Sequence, residues 1–264
     1  MTFVSIPDKN TLIQNMELIW NFVVADLKVR YKNSKLGFLW SLLNPLFMTL
    51  IYLLVFTTIM KFRTQNYSMF LLLGIVLWRF FAEGTQFALT SLVRKGQLIR
   101  KIYFPRAIVV ISSTISSFIG TILELVAFFI IFFVLGGKFS FAFLILPLIL
   151  LAEFILVLGV GFSISTIYVF FRDYDDIWKL TMRAGFYLTP VIWPLSALGD
   201  DSTYLPYIMI NPMSRIVTMA RSVVIDGKIP SFESFFTLLI ICLVVYFLGI
   251  KIFKKYERRL AREV

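Results

Sequence analysis

Apolar positions run through this chain in six long stretches, each near the 20 or so residues that carry a helix across a bilayer core. Residues 37–60 carry no charge between Gly37 and Met60. Residues 67–93 carry Arg79 and Glu83, 107–135 carry Glu124, and 141–171 carry Glu153. Residues 177–198 are interrupted by Pro190 and Pro194, and 232–253 form the last stretch. Ahead of these, Thr11 to Lys35 has a different pattern: Leu12, Met16, Ile19, Val23 and Leu27 recur at steps of three and four, widened by Trp20 and Val24. Gln14, Glu17, Asn21, Lys28 and Lys32 take the other faces, as on a helix lying in a membrane interface or packed on a partner subunit. Residues 204–225 are only moderately apolar and hold Arg215, Arg221, Pro206 and Pro212, so they read as outer-face helices or a re-entrant hairpin. The pattern predicts an all-α integral membrane protein. It has a cytoplasmic N-terminus over 1–36 with an interfacial amphipathic helix, a transmembrane domain over 37–253 with six transmembrane helices and re-entrant or outer-face helices between the fifth and sixth, and a basic cytoplasmic tail over 254–264.

Charge orients that arrangement. With both termini in the cytoplasm, nineteen Lys and Arg fall in inner segments and six in outer ones, the bias expected of a multi-pass protein of the cytoplasmic (inner) membrane. The first 36 residues lack the early apolar core of a signal peptide. The net charge of +11 is accounted for by this bias and by anionic inner-leaflet lipid, so no nucleic acid partner is implied.

Composition agrees and narrows the chemistry. Hydrophobic residues make up 59% of the 264, more than one domain of this size can bury, so part of that surface faces lipid. The chain has no His, which removes imidazole acid–base chemistry and His-based metal sites. Its one Cys, Cys242, stands in an apolar run as a small hydrophobe. No phosphate-cradling glycine loop occurs, so any work the protein performs borrows energy from elsewhere.

The remaining candidates have two readings each. Arg79 and Glu83 share a helix face, either as a polar site facing a pathway or as a mutually neutralising pair that locks the bundle. Glu124 and Glu153 stand alone in their stretches. Asp173 and Asp175 have the Asp-x-Asp spacing with which some glycosyltransferases hold a metal and a sugar diphosphate; the bland reading is that they answer Arg172 and Lys179. Ser113 with Ser117, Ser116 with Gly120, and Gly159 with Gly161 read as helix-packing signals.

An ordered series of short motifs resembles the ABC type-2 export permeases. Arg30-Tyr31-Lys32, Leu36-Gly37-Phe38-Leu39-Trp40 and Asn44-Pro45-Leu46 resemble the entry to their first span. Leu73-Gly74 to Trp78 with Phe80-Phe81 resembles their second. Leu98-Ile99-Arg100-Lys101 to Phe104-Pro105-Arg106 resembles their first cytoplasmic loop. Phe171-Arg172-Asp173, Pro190 with Pro194, and Asn211-Pro212 with Arg221 complete the series, which covers nearly the whole chain. The nearest branch exports lipid-linked polysaccharides: O-antigen, capsule or teichoic acid.

That resemblance implies a homodimer of permeases bound to two separate ATP-binding subunits. ATP and Mg would lie in those subunits and no cofactor in this chain. The cargo would be a polymer on a polyprenyl diphosphate. A sliding polymer needs many weak contacts, which aromatic rings supply. Phe38, Trp40, Phe47 and Tyr52, with Phe186, Tyr187 and Trp193, are candidates for the channel lining, beside Arg79 and Glu83; the other reading of these rings is lipid-facing filler. Gly96 to Tyr103, a basic and amphipathic cytoplasmic loop, is expected to form a short coupling helix toward the ATPase, with Leu98, Ile99 and Ile102 as its apolar contacts; the other reading is a loop that is basic only for topology. Export of another substrate (teichoic acid, lipid or drug) is the alternative within the family, and a membrane glycosyltransferase using Asp173 and Asp175 is the alternative outside it. Six spans without an inverted repeat and with few intramembrane carboxylates do not suit a secondary transporter.

Overall fold

A computed structural model describes residues 9–31, 39–55, 66–102, 104–198 and 203–263. They form α1 (Lys9–Tyr31), α2 (Leu39–Leu53), α3 (Tyr67–Arg94), α4 (Gly96–Lys101) and α5 (Ala107–Val134). A 3-10 turn (Phe141–Ile145) then runs into α6 (Leu146–Phe170). After it come α7 (Tyr174–Leu188), α8 (Leu205–Ile210), α9 (Pro212–Val224) and α10 (Phe232–Glu263). The all-α expectation holds for every described element.

The six-span count does not hold. Four helices among the described residues are long and apolar enough to cross a membrane: Tyr67–Arg94, Ala107–Val134, Phe141–Phe170 and Phe232–Leu260. The stretch expected at 177–198 yields α7, 15 residues or about 22 Å at 1.5 Å per residue, short of a core of about 30 Å. It begins earlier than expected and takes in Asp175, Asp176, Lys179 and Arg183. It also ends early, because Pro190 lacks an amide donor and drives Thr189 into extended backbone (φ −90°, ψ 141°). The stretch expected at 37–60 yields α2, again 15 residues, its flanks lying outside the described residues. For 177–198, hydropathy alone merged the short helix with the apolar turn that follows it.

Direction follows from the contacts. Phe80 of α3 meets Phe118 of α5, which meets Phe154 of α6, and a side chain at Gly161 of α6 would touch Ala88 and Val110. Thus α3 and α6 run parallel and α5 runs against them. In α10, Phe253 meets Phe162 and Tyr256 meets Phe170, so α10 is parallel to α6. The ends of α3, α6 and α10 therefore gather at one end of the bundle, together with Lys95, Arg106 and Arg172; Arg106 donates to the Glu257 carbonyl there at 3.2 Å. That end is called the basic end below.

Helix α3 is central, with 67% of its apolar window buried; α10 is peripheral at 17%. A large core joins α3, α5, α6 and α9. A smaller one at the basic end joins Phe22 of α1 to Leu92, Ile99, Phe162, Phe253 and Leu260. The apolar stripe expected on α1 is divided: Val23 is buried toward α5, whereas Met16 and Trp20 are exposed. At the opposite end α9 carries nine buried residues. Asn211 caps it, accepting from the Met213 amide at 3.0 Å, and Pro212 takes the first helical position, where no amide partner is needed. Asn211 Nδ2 also donates to Thr189 Oγ1 at 2.9 Å, tying α9 to the turn that ends α7.

Candidate functional site

A groove of about 390 Å³ lies between α2, α3 and α7. Ile75, Trp78, Arg79, Ala82 and Glu83 of α3 form one wall, at the three- and four-residue steps that place them on one helix face. Met182, Arg183, Phe186 and Tyr187 of α7 form the other with the same spacing, and Met48 of α2 closes the side. The Trp78 and Phe186 rings meet edge to face at 6.1 Å, and Tyr187 beside them is 60% exposed, so its ring is open to an occupant. Helix α7 is pinned to α3 by Trp178 Nε1 donating to Thr85 Oγ1 at 3.0 Å and by Gln86 donating to Asp175.

Beneath the groove the charges form a chain of four. Arg79 Nε donates to Glu83 Oε1 at 2.6 Å and Arg79 Nη1 lies 3.2 Å from Glu124 Oε1. Glu83 is also paired with Arg30, which reaches in from α1. Two guanidiniums thus face two carboxylates. Arg79 and Glu83 satisfy both of their sequence readings at once, since they are paired and they line the groove. Arg30 is the member the hydropathy pattern did not suggest as part of this set, because it lies outside every apolar stretch.

Among the expected channel residues, Arg79, Glu83, Phe186 and Tyr187 meet at the groove. Trp40 and Phe47 sit half-exposed on α2 away from it, and Met48 reaches it instead. Trp193 donates its indole N–H to the Tyr187 carbonyl at 3.0 Å and supports the wall from behind. Phe38 and the Tyr52 side chain lie outside the described residues. Met48, Met182 and Arg183 were not among the expected lining; for the two on α7, the 182/183/186/187 stripe was the available signal.

The coupling segment does form a helix, α4, at the basic end. Its apolar residues divide: Ile99 is buried in the chain's own core, whereas Ile102 is 55% exposed and Leu98 is half-buried. Tyr103 lies outside the described residues. Of the Asp173 and Asp175 pair, Asp175 is engaged by protein side chains. Lys179 beside Asp175 holds its carboxyl below the usual carboxylate range, and Gln86 binds the same group. No group of three His, Cys, Asp or Glu gathers among the described residues.

Glu153 is fully buried in α6, and both of its carboxyl oxygens lack a hydrogen-bond partner among the described residues. An unmet polar group in a core costs about 1–3 kcal/mol. Glu153→Met, similar in volume and free of that deficit, is expected to raise the melting temperature in detergent, read by intrinsic fluorescence. A lowered melting temperature would mean that the carboxyl is needed.

The profile of the ABC-2 type transporter family matches residues 17–225. The chain is 31% identical over 262 residues to the O-antigen export system permease protein RfbA of Klebsiella pneumoniae, covering 98% of this chain and 99% of that one. It is 26% identical over 253 residues to the RfbA permease of Myxococcus xanthus, at 96% and 97% coverage. To the polysialic acid transport protein KpsM of Escherichia coli it is 22% identical over 242 residues, at 89% and 91%.

Proposed function

The chain belongs to the ABC-2 type transporter family, as a transport permease and not an enzyme, and from this we propose that it forms the membrane path for an O-antigen-like, lipid-linked polysaccharide. ATP hydrolysis in a separate subunit drives export, and two copies of the permease assemble around the path. The similarity to O-antigen export permeases from end to end carries this reading. The groove supports it: the exposed Tyr187 ring beside a balanced charge network suits a polymer held weakly and released at each step. The basic end faces the cytoplasm, where anionic lipid and the positive-inside bias favour it, and both termini lie on that side.

Export by the permease with its ATPase, reconstituted with a polyprenyl-linked polysaccharide, tests the path. Tyr187→Leu with Phe186→Leu keeps apolar bulk and removes the stacking faces. We expect it to reduce export at least several-fold with the complex still assembled. Normal export by this variant would show that the rings serve only packing.

Energy enters at α4. Leu98→Asp with Ile102→Asp is expected to leave ATP hydrolysis running while export falls to background, because Ile102 is exposed and Leu98 half-buried, whereas Ile99 is buried in the chain's own core. In a Cys242→Ser background, a cysteine at Ile102 should react with an impermeant maleimide only after permeabilisation. Labelling of intact cells would reverse the orientation.

A further inference from the structure

A second, more enclosed cavity of about 100 Å³, largely apolar in surface but with charged and hydroxyl groups on its wall, lies toward the basic end between α1, α3 and α5. Arg30 and Arg94 both stand over the Phe87 ring, their guanidinium carbons 4.9 and 5.2 Å from its centroid. Asp26 is the carboxylate on its wall, and it is occupied: Lys95 Nζ holds Asp26 Oδ2 at 2.7 Å, and Ser113 Oγ donates to the same oxygen at 3.4 Å. Arg30 is occupied by Glu83. Arg94 is different: among the described residues it has no ion-pair partner and donates only to the Phe87 carbonyl, at 3.4 Å. Ser116 is different as well. Ser112, Thr114, Ser117 and Thr121 of α5 each donate to a carbonyl a turn earlier. The Ser116 hydroxyl makes no hydrogen bond among the described residues, and the residue lines the cavity.

A guanidinium fork with one positive charge to spare, a free hydroxyl and a second guanidinium at the wall make an anion site. The volume admits one tetrahedral oxyanion and excludes a sugar ring. Depth points the same way. Arg94 ends α3, and Phe87 lies two turns, about 10 Å, further in, so the cavity spans the level where headgroup phosphates meet the acyl region. We propose that this cavity binds a phosphoryl group. A lipid headgroup and free phosphate share that chemistry. The site does not depend on the polymer reading, and binding can be measured without transport.

The test uses the full chain in detergent micelles, with native mass spectrometry of adducts formed with phosphatidic acid, phosphatidylcholine or inorganic phosphate. Arg94→Gln removes the spare charge, Ser116→Leu fills the cavity and keeps every charge, and Lys254→Gln removes a basic-end charge outside it. Phosphatidic acid retention should fall about tenfold or more in Arg94→Gln, the scale of one charged hydrogen bond, and comparably in Ser116→Leu. Lys254→Gln should bind like the parent. Retention of phosphatidic acid over phosphatidylcholine and inorganic phosphate assigns a lipid phosphomonoester. Inorganic phosphate binding with the same variant dependence assigns the free ion. Unchanged retention in Arg94→Gln, or an equal fall in Lys254→Gln, overturns the site. Melting temperatures of all three variants separate lost binding from lost folding; if Ser116→Leu does not fold, Arg94→Gln against Lys254→Gln decides.

Discussion

Gly159→Val is expected to separate α6 from α10 and to lower stability by more than about 3 kcal/mol, the upper range for overpacking a close contact. The two parallel helices meet at Gly159 and Gly249, backbone against backbone. A Cβ built on Gly159 would lie 2.5 Å from Tyr246 Cα and 2.7 Å from Tyr246 N. A Cβ on Gly249 would overlap the Gly159 carbonyl. In neither case is the obstacle a flexible side chain, so relief requires the helices to move apart. In lipid this matters more than in water, because close packing replaces the hydrophobic drive between helices. Gly159→Ala and Gly249→Ala should each destabilise. Their double variant should lose clearly less than the sum, since one separation relieves both clashes. Thermal unfolding in detergent reads all three. Full additivity would mean that the two glycines do not share a contact.

The second large effect belongs to Arg221. Its side chain is buried with no carboxylate beside it among the described residues, and burial pushes the guanidinium well below its ordinary range. Carbonyls satisfy it instead. Nε and Nη2 donate to Phe70 O at 3.1 and 2.9 Å, Nη2 also donates to Val191 O at 2.6 Å, and Nη1 donates to Pro190 O. One residue of α9 therefore ties the start of α3 to the turn after α7, which holds the far wall of the groove. Gly74 leaves the room, since a Cβ there would strike the guanidinium. Arg221→Ala strips the donors from buried carbonyls and is expected to cost about 3–5 kcal/mol, the scale of a broken buried charge network. Arg221→Lys keeps the charge but lacks the planar fork that reaches three carbonyls, so it should recover only part of the loss. Full recovery by lysine would show that charge alone matters. Gly74→Leu should reproduce the Arg221→Ala defect by displacing the same side chain.

Much of this was legible in order along the chain. The stretches at 67–93, 107–135 and 141–171 became long helices with nearly those limits, and the one at 232–253 became a helix that continues to Glu263, because twenty apolar residues in lipid have few alternatives to a helix that satisfies its own backbone. Pro190, read as an interruption of its apolar stretch, stands two residues after Leu188, where a helix ends. Arg79 and Glu83 were visible as a pair from their spacing alone.

Composition, alternation of apolar and polar positions, and charge bias determined by themselves that this is a membrane-embedded all-α chain whose basic loops share one end. These properties are local, summed over windows of one helix. Tertiary structure decided what depended on neighbours distant in sequence. Among the described residues it left four helices of spanning length and ended α7 short of one, because hydropathy does not register where a helix stops and an apolar turn begins. It brought Glu124 to Arg79 and Arg30 to Glu83, and it set Arg94 and Ser116 around one cavity. It also gave Gly159 its partner, ninety residues away. A charge or a glycine carries no mark in the sequence of the side chain it will meet, because pairing is set by the packing of whole helices and not by spacing within one.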